Sequence, residues 1–349
     1  MQDEKAAPRI LVFGTGSLGT VYTWLFSRAI PESNITAICR SNYDAASQNG
    51  FTVNSTIWGQ GLTVRPRIVR SVTEAVGQLP PQAAFDYILV TCKALPTTPS
   101  TASLIQPAIT SGKTAVVLVQ NGIGIEDEYA RLYANKGLDV ALLSTAVYLP
   151  ATQTSPAVVE HAVVEHLHVG TYPAHGVPEA HKRAAEKFVD LVRAAGATAT
   201  LHDDVQAQRW AKLLINASWN PICALTRLTD RDFLATGSGG EGEGGGVTND
   251  AFAFVRDVIR EVASIAQACG YTEIDEELVE FQVTRVIKRG PPGITPSMMA
   301  DALDMRTMET DAIVGNAVRI AKEKDVPVPL LRTIYMLIRG LSTSFANAR

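Results

Sequence analysis

Ile10-Leu11-Val12-Phe13-Gly14-Thr15-Gly16-Ser17-Leu18-Gly19 decides how the first part of this chain folds. Four apolar residues run without alternation into a G-x-G-x-x-G turn, and a helix-compatible stretch follows. In that order Gly14 permits a tight turn after a strand, Gly16 lets the backbone approach a pyrophosphate, and Gly19 lets a helix pack closely on the strand. The helix start, from Ser17 and Leu18 onward, supplies backbone amides and a positive dipole end for phosphates. The same spacing recurs at Gly237–Gly242, inside the low-complexity run Gly237–Gly246. No strand precedes that copy, and the two glutamates of the run would repel a pyrophosphate. The run reads instead as a mobile loop between two helices.

Outward from the motif, short apolar runs alternate with helical ones up to about residue 150. Strands are expected at Ile10–Phe13, Ile35–Cys39, Phe85–Thr91 and Ala115–Val119, with helices such as Gly19–Ala29 and Thr101–Ile109 between them. Strands that are apolar on both sides and alternate with helices imply βαβ units and a doubly wound, mostly parallel sheet. Further strands are expected at Val140–Tyr148 and Val158–Val169, then a helix over 179–195 and a short strand over 198–201. Beyond Asp203 helical periodicity takes over, at 205–217, 250–268, 275–288, 298–322 and 330–342. The predicted organisation is an α/β chain: a Rossmann dinucleotide-binding domain over 1–203 and an all-α substrate and catalytic domain over 204–349.

The end of the second strand distinguishes the two nicotinamide cofactors. An Asp or Glu there would bind the ribose hydroxyls of NAD, but this chain has Cys39-Arg40-Ser41-Asn42. A guanidinium and a hydroxyl suit a 2′-phosphate, so the expected cofactor is NADP(H); an ordinary surface arginine is the alternative. Two further strand ends lead into Lys93 and Asn121, and ligands of open α/β sheets lie beyond the carboxyl ends of the strands. In the C-terminal half, Lys212, Asn216 and Asn220 are spaced i, i+4, i+8 and share one face if the helix persists to Pro221. Spacing alone leaves open whether Lys212 merely carries its charge out to water and the asparagines merely bridge helices.

These residues together resemble the ketopantoate reductase family over nearly the whole chain. The resemblance rests on Gly14–Gly19, Arg40, Val90-Thr91-Cys92-Lys93, Asn121-Gly122, the Lys212…Asn216…Asn220-Pro221 block, and Pro296-Ser297-Met298-Met299…Asp301…Arg306…Thr310-Asp311 with Glu309. It implies NADPH-dependent reduction of 2-dehydropantoate to pantoate, in pantothenate biosynthesis, and a C-terminal domain like that of 6-phosphogluconate dehydrogenase. It also implies Lys212 as the proton donor to the carbonyl oxygen, with Glu309 orienting substrate and the lysine network. Asn216, Asn220 and Ser297 match substrate-binding positions; Lys93 and Asn121 match cofactor positions, and Arg40 the 2′-phosphate contact. One departure stands out. Many members carry Asn-Gly-Glu after the lysine helix, where this chain has Asp230-Arg231-Asp232. A carboxylate there would sit badly beside a substrate carboxylate unless Arg231 compensates or the segment points away.

Bulk properties agree with a reductase. A net charge of −4 argues against a nucleic-acid binder, and no apolar stretch is long enough to span a bilayer. The four cysteines form no C-x-x-C and read as buried thiols of a reducing, cytoplasmic setting. His161, His166 and His168 read as a solvated strand face, so no metal is expected. Asp301, Arg306 and Asp311 read as an ion-pair set on a helix. The helical domain offers a face for a homodimer, although no sequence feature requires one. The competing readings are a paralogue that reduces another 2-keto acid, carbonyl or imine, and an NADP-binding sensor without turnover.

Overall fold

The computed structural model describes residues 7–236, 249–289 and 291–347. The Gly237–Gly246 run lies outside the described residues. The chain divides into two compact units. One comprises residues up to Asn121 together with Ile125–Gln206; the other comprises Gly122–Gly124 and Ala207–Arg349.

The first unit holds all the described strands, which are numbered here in chain order. They are β1 (Ile10–Phe13), β2 (Ile35–Ile38), β3 (Phe51–Ser55), β4 (Gly59–Val64), β5 (Arg67–Val69) and β6 (Tyr87–Val90). There follow β7 (Ala115–Leu118), β8 (Ala141–Tyr148), β9 (Ala151–Ser155), β10 (Val158–His161), β11 (His166–Thr171) and β12 (Ala199–Leu201). The main sheet runs β12-β11-β8-β7-β6-β1-β2-β5. From β8 across to β5 every pairing is parallel, while β11 pairs antiparallel with β8 and β12 parallel with β11, so these two strands run against the other six. Counting those six parallel strands alone gives the order 3-2-1-4-5-6 of a dinucleotide-binding sheet, with its switch point between β1 and β6.

Near-continuous apolar strands are explained by burial on both faces. Ile10 and Val12 enter one core with Val21, Phe26 and Phe188, while Leu11 between them enters a second core with Val72, Ile105 and Tyr129. A smaller sheet, β4-β3-β10-β9, packs on the helix Ser17–Ser27. Sequence reading did not anticipate it, and the expected single strand over 158–169 is in fact β10 and β11 in different sheets. His161 is consequently buried, contrary to the solvated face expected of it. It stacks on Trp58 at 4.7 Å and hydrogen-bonds Ser55 Oγ at 2.9 Å.

In the second unit the described elements are helical, around one core that includes Trp210, Leu214, Val258, Val283, Met298 and Leu331. Two expected helices are interrupted. The first ends at Asn216 and the next spans Trp219–Thr226, so Lys212 and Asn220 do not lie on one continuous helix. The expected helix over 298–322 is three pieces: Ser297–Leu303, a π-type turn Asp311–Gly315, and Asn316–Glu323. Met305, at φ +52°, follows the end of the first piece, so the helix does not run through it. None of the described helices is long and apolar enough to cross a membrane.

Asp230 is buried at 5% exposure and its carboxylate is fully engaged. It forms an ion pair with Arg289 and accepts the Ile294 and Arg231 backbone N–H groups, each at 2.8 Å. Arg289 neutralises it. Removing one member of such a pair strands the other. Asp230→Ala is therefore expected to destabilise the protein by about 2 kcal/mol, less than for a fully buried pair because Arg289 is partly exposed. Urea denaturation checks this, and an unchanged midpoint would show that the clamp contributes nothing.

Candidate active site

The glycine motif forms the turn the sequence predicts, and its three glycines stand in different surroundings. Gly14 has φ +102°, and a Cβ there would lie 2.5 Å from the Cys92 nitrogen. A Cβ on Gly19 would lie 2.3 Å from the Gly14 carbonyl oxygen and 2.7 Å from Thr91 Oγ1. Gly16 differs from both: a Cβ there would meet nothing within 4 Å. It is the N-cap of the helix Ser17–Ser27, and no side chain caps that helix start. An uncapped helix start beside open space suits an anion.

Four polar side chains, buried or half-buried, brace this turn and the strand ends beside it, and sequence reading assigned none of them a role. Thr91 Oγ1 donates to the Gly14 carbonyl at 2.6 Å, joining the ends of β6 and β1. Thr15 Oγ1 donates to the Ile38 carbonyl at 3.0 Å, and Asn42 Nδ2 donates to the Thr15 carbonyl at 2.6 Å. The loop after β2 is thereby latched to the glycine turn. Gln120 Nε2 donates to the Cys92 carbonyl at 3.0 Å while its Oε1 accepts from Tyr129 at 3.1 Å, which fixes the end of β7 against the end of β6. A motif pattern treats Thr15 and Asn42 as free positions; only their burial at strand ends marks them.

Gly14, Arg40, Lys93 and Asn121 thus follow the carboxyl ends of β1, β2, β6 and β7, four adjacent parallel strands. Arg40 is exposed, and its guanidinium forms no ion pair among the described residues. Lys93 is exposed as well, and Asn121 is half-buried. An open glycine and an uncapped helix start at the end of the first strand fit a dinucleotide of the NAD(P)H type.

In the second unit, Lys212 sits on the helix Gln206–Asn216, whose buried face carries Arg209, Trp210, Leu213 and Leu214. Burial lowers the Lys212 pKa from its ordinary 10.5 to about 7; the Arg209 charge adds to that shift and the Glu309 charge opposes it. Arg209 is itself buried and donates to the Gly122 carbonyl at 2.6 Å. The Gly122–Gly124 segment is further tied by Ile123 N–H to the Ala312 carbonyl at 3.1 Å and by Asn316 Nδ2 to the Ile123 carbonyl at 2.7 Å. A Cβ on Gly122 would strike the Ala312 carbonyl oxygen at 2.3 Å, so the Asn121-Gly122 pair carries a packing constraint too.

The remaining site residues separate by element. Asn216 lies one turn after Lys212 and ends the same helix. Asn220 is buried in Trp219–Thr226, and Ser297 is exposed at the start of Ser297–Leu303, two helices that pack on each other. Glu309 is buried just before the π-type turn. The expected ion-pair set divides. Arg306 binds Asp301 at 3.0 Å and Asp304 at 2.6 Å, closing a helix end, whereas Asp311 accepts from Tyr335 at 2.5 Å. In the first unit His166 and His168 do share a face, stacked at 4.1 Å, and His168 bonds His202 at 2.8 Å.

Comparison with known proteins covers both units. Residues 10–174 match the family model described as ketopantoate reductase PanE/ApbA, and residues 204–342 match its C-terminal model. An uncharacterized protein of Saccharomyces cerevisiae is 29% identical over 346 residues, spanning 95% of this chain and 92% of its own. The crystal structure of 2-dehydropantoate 2-reductase from Methylococcus capsulatus is similar with a TM-score of 0.78 and 27% identity, over 97% of this chain and 98% of that one. D-mandelate dehydrogenase, solved as a ternary structure with NADH and anilino(oxo)acetate, shares the fold at a TM-score of 0.76 and 17% identity, over 97% and 99% of the two chains. Two family models that together account for the glycine-turn unit and the lysine-bearing helical unit make this chain a member of the ketopantoate reductase family.

Proposed function

We propose that this chain is an NADPH-dependent 2-keto acid reductase that converts 2-dehydropantoate to pantoate, with Lys212 as the general acid. The observation that carries the reading is Lys212 itself, an ammonium whose pKa burial brings down to about 7. The nicotinamide, when bound, supplies the hydride that reaches C2 of the keto acid. Gly14, Gly16, Ser17, Leu18 and Gly19 bind the pyrophosphate, Arg40 the 2′-phosphate, and Lys93 and Asn121 the rest of the dinucleotide.

Negative charge develops on the substrate carbonyl oxygen as C2 is reduced. The Lys212 ammonium stabilises that charge and then transfers its proton to the same oxygen. A lysine with an ordinary pKa would hold its proton too tightly at neutral pH, whereas one near 7 is a matched donor. Glu309 keeps a useful fraction of Lys212 protonated by opposing the effect of burial. Asn216, Asn220 and Ser297 bind the substrate's carboxylate and hydroxyl groups without bringing a further charge to the lysine.

A second reading, in which the substrate is a different 2-keto acid, is favoured by one observation. Asp230-Arg231-Asp232 replaces the family's Asn-Gly-Glu, and Asp230 is committed to Arg289 and the Ile294 backbone, so it cannot make the contact the family's asparagine makes. NADPH consumption with 2-dehydropantoate and a panel of branched 2-keto acids separates the readings. Turnover confined to other acids would establish the second, and cofactor binding with no turnover on any of them would mean a sensor.

Two glycine variants test the dinucleotide assignment. Gly16→Ala meets no neighbour, so the fold should stand while NADPH binding weakens about tenfold or more, because the backbone can no longer approach the pyrophosphate. Gly19→Ala should instead destabilise the protein by about 1–3 kcal/mol, since its Cβ collides with the Gly14 carbonyl. Dye-monitored melting and fluorescence titration of NADPH read the two effects separately.

The pH dependence has a definite sign. The protonated lysine is the active form, so reductive kcat/KM should be level below pH 6 and fall roughly tenfold per unit above about 7. The reverse oxidation needs the neutral amine and should rise through the same range. Glu309→Gln removes the charge that raises the Lys212 pKa, so the falling limb should move to lower pH. Lys212→Met should cost about 10³-fold or more in turnover with NADPH affinity little changed. A limb that stays in place in Glu309→Gln, or an active Lys212→Met enzyme, would refute the mechanism.

A further inference from the structure

Beyond Arg40, the first unit places a second cation at the same strand-end edge, and the family resemblance assigns it no role. β5 is the edge strand next to β2, and Ile38 pairs with Val69 in parallel register. The Cys39 N–H still donates to the Val69 carbonyl at 2.9 Å. Arg40 and Arg70 therefore leave neighbouring strand ends, which are spaced by about 4.8 Å, one residue apart in register. We propose that Arg70 is a second specificity residue of the nucleotide site, which joins Arg40 in binding the 2′-phosphate of NADP(H).

Its backbone and side chain are both held in place. The Arg70 N–H donates to Glu74 Oε2 at 2.8 Å, and Ser71 Oγ accepts the Glu74 N–H at 3.1 Å, so the start of the helix Val72–Gly77 fixes residue 70. The guanidinium lies flat against Tyr43, 3.6 Å from the ring centroid, and Nη2 donates to Asp44 Oδ1 at 2.9 Å. Tyr43 and Asp44 follow directly on Arg40-Ser41-Asn42, and Asn42 is the residue latched to the glycine turn. The loop that carries Arg40 therefore also positions Arg70.

The chemistry selects a phosphate dianion. Guanidinium forks match phosphate oxygens, and a single contact to Asp44 leaves most of the five N–H donors available. The Arg70 side chain is 58% exposed and Asp44 82%, so their pair is weakly held and easily outcompeted by a dianion. Asp44 lies in the helix Tyr43–Asn49, beyond the strand end where NAD-binding chains place an acidic residue, and it faces Arg70. It opposes a phosphate nearby, so Arg70 both offsets that carboxylate and adds a donor.

The inference rests on the NADP(H) reading, and the test keeps the two apart. Fluorescence titrations of NADPH and NADH are made on the full chain and on Arg70→Gln, Arg70→Lys, Asp44→Asn and Arg40→Ala. Arg70→Gln should weaken NADPH about tenfold and leave NADH within about twofold, with Arg70→Lys recovering part of the loss. Asp44→Asn should tighten NADPH a few-fold without changing NADH, because a carboxylate near the phosphate is gone. Equal losses for both cofactors in Arg70→Gln, or none, would overturn the role of Arg70 even where Arg40→Ala abolishes the NADPH preference. Weaker NADH binding in Asp44→Asn would make Asp44 a ribose ligand and overturn it as well. Parent protein that binds NADH as tightly as NADPH would overturn the NADP(H) reading and this inference together.

Discussion

The helix Ser17–Ser27 meets the first strand's turn with no clearance: at Gly19 even a methyl group would sit 2.3 Å from the Gly14 carbonyl oxygen. Much of the first unit depends on that approach. It brings an uncapped helix start against the end of β1, where the parallel sheet changes direction and where ligands of such sheets bind. It also sets the height of the helix above the sheet. The helix buries Val21, Tyr22, Leu25 and Phe26 in the core beneath and carries the small sheet β4-β3-β10-β9 on its other side. That second cover explains why a helix of a nucleotide-binding domain is buried nearly all round, with Thr20 and Thr23 as well as its apolar residues inaccessible.

Close packing alone would not hold four loops in place around a ligand. The hydrogen bonds from Thr91, Thr15, Asn42 and Gln120 do so by tying each strand end to a neighbour's backbone. Each is buried or half-buried, where a lost partner leaves a carbonyl unsatisfied and costs more than the bond itself contributes. The glycine turn and the loops carrying Arg40, Lys93 and Asn121 are therefore braced as one edge. In the phosphate-binding role proposed for Arg40, part of the ordering that a flexible arginine on an unbraced loop would need is already built into the fold.

How much of this was legible in the sequence follows from which forces each element depends on. β1, β2, β6 and β7 are buried on both faces, so local apolar content identified them. β3, β4 and β9 lie in a sheet with an exposed face; β4 (Gly-Gln-Gly-Leu-Thr-Val) and β9 (Ala-Thr-Gln-Thr-Ser) are largely polar, and their pairing is fixed only by tertiary contact. The break between Asn216 and Trp219 is equally hidden. The apolar period continues across it, and Ser218 hydrogen-bonds back to the Leu214 carbonyl at 2.5 Å, which favours a bend without leaving a helix-breaking residue to read. Pro221 was the visible signal, but it falls inside the second helix rather than at the break. The glycine turn was readable because the close approaches at Gly14 and Gly19 demand that residue type. Arg289 as partner to Asp230 was not, because the two are far apart in sequence and meet only through packing.

The lysine shows why the surroundings matter more than the residue. Arg209 is one turn before Lys212, on the same side of the helix, and its charge is anchored by the bond to Gly122. A fixed positive neighbour and burial both favour the neutral amine, and Glu309 alone among the causes of the shift pulls the other way. The balance leaves a pKa near 7 that neither extreme would give. In the acid role proposed for Lys212, burial without Glu309 would leave less ammonium to donate a proton, whereas a solvated lysine would hold its proton more tightly. Position 209 thus acts on the Lys212 pKa in the opposite direction to position 309. An arginine serves there better than a lysine, because it stays charged wherever it is buried.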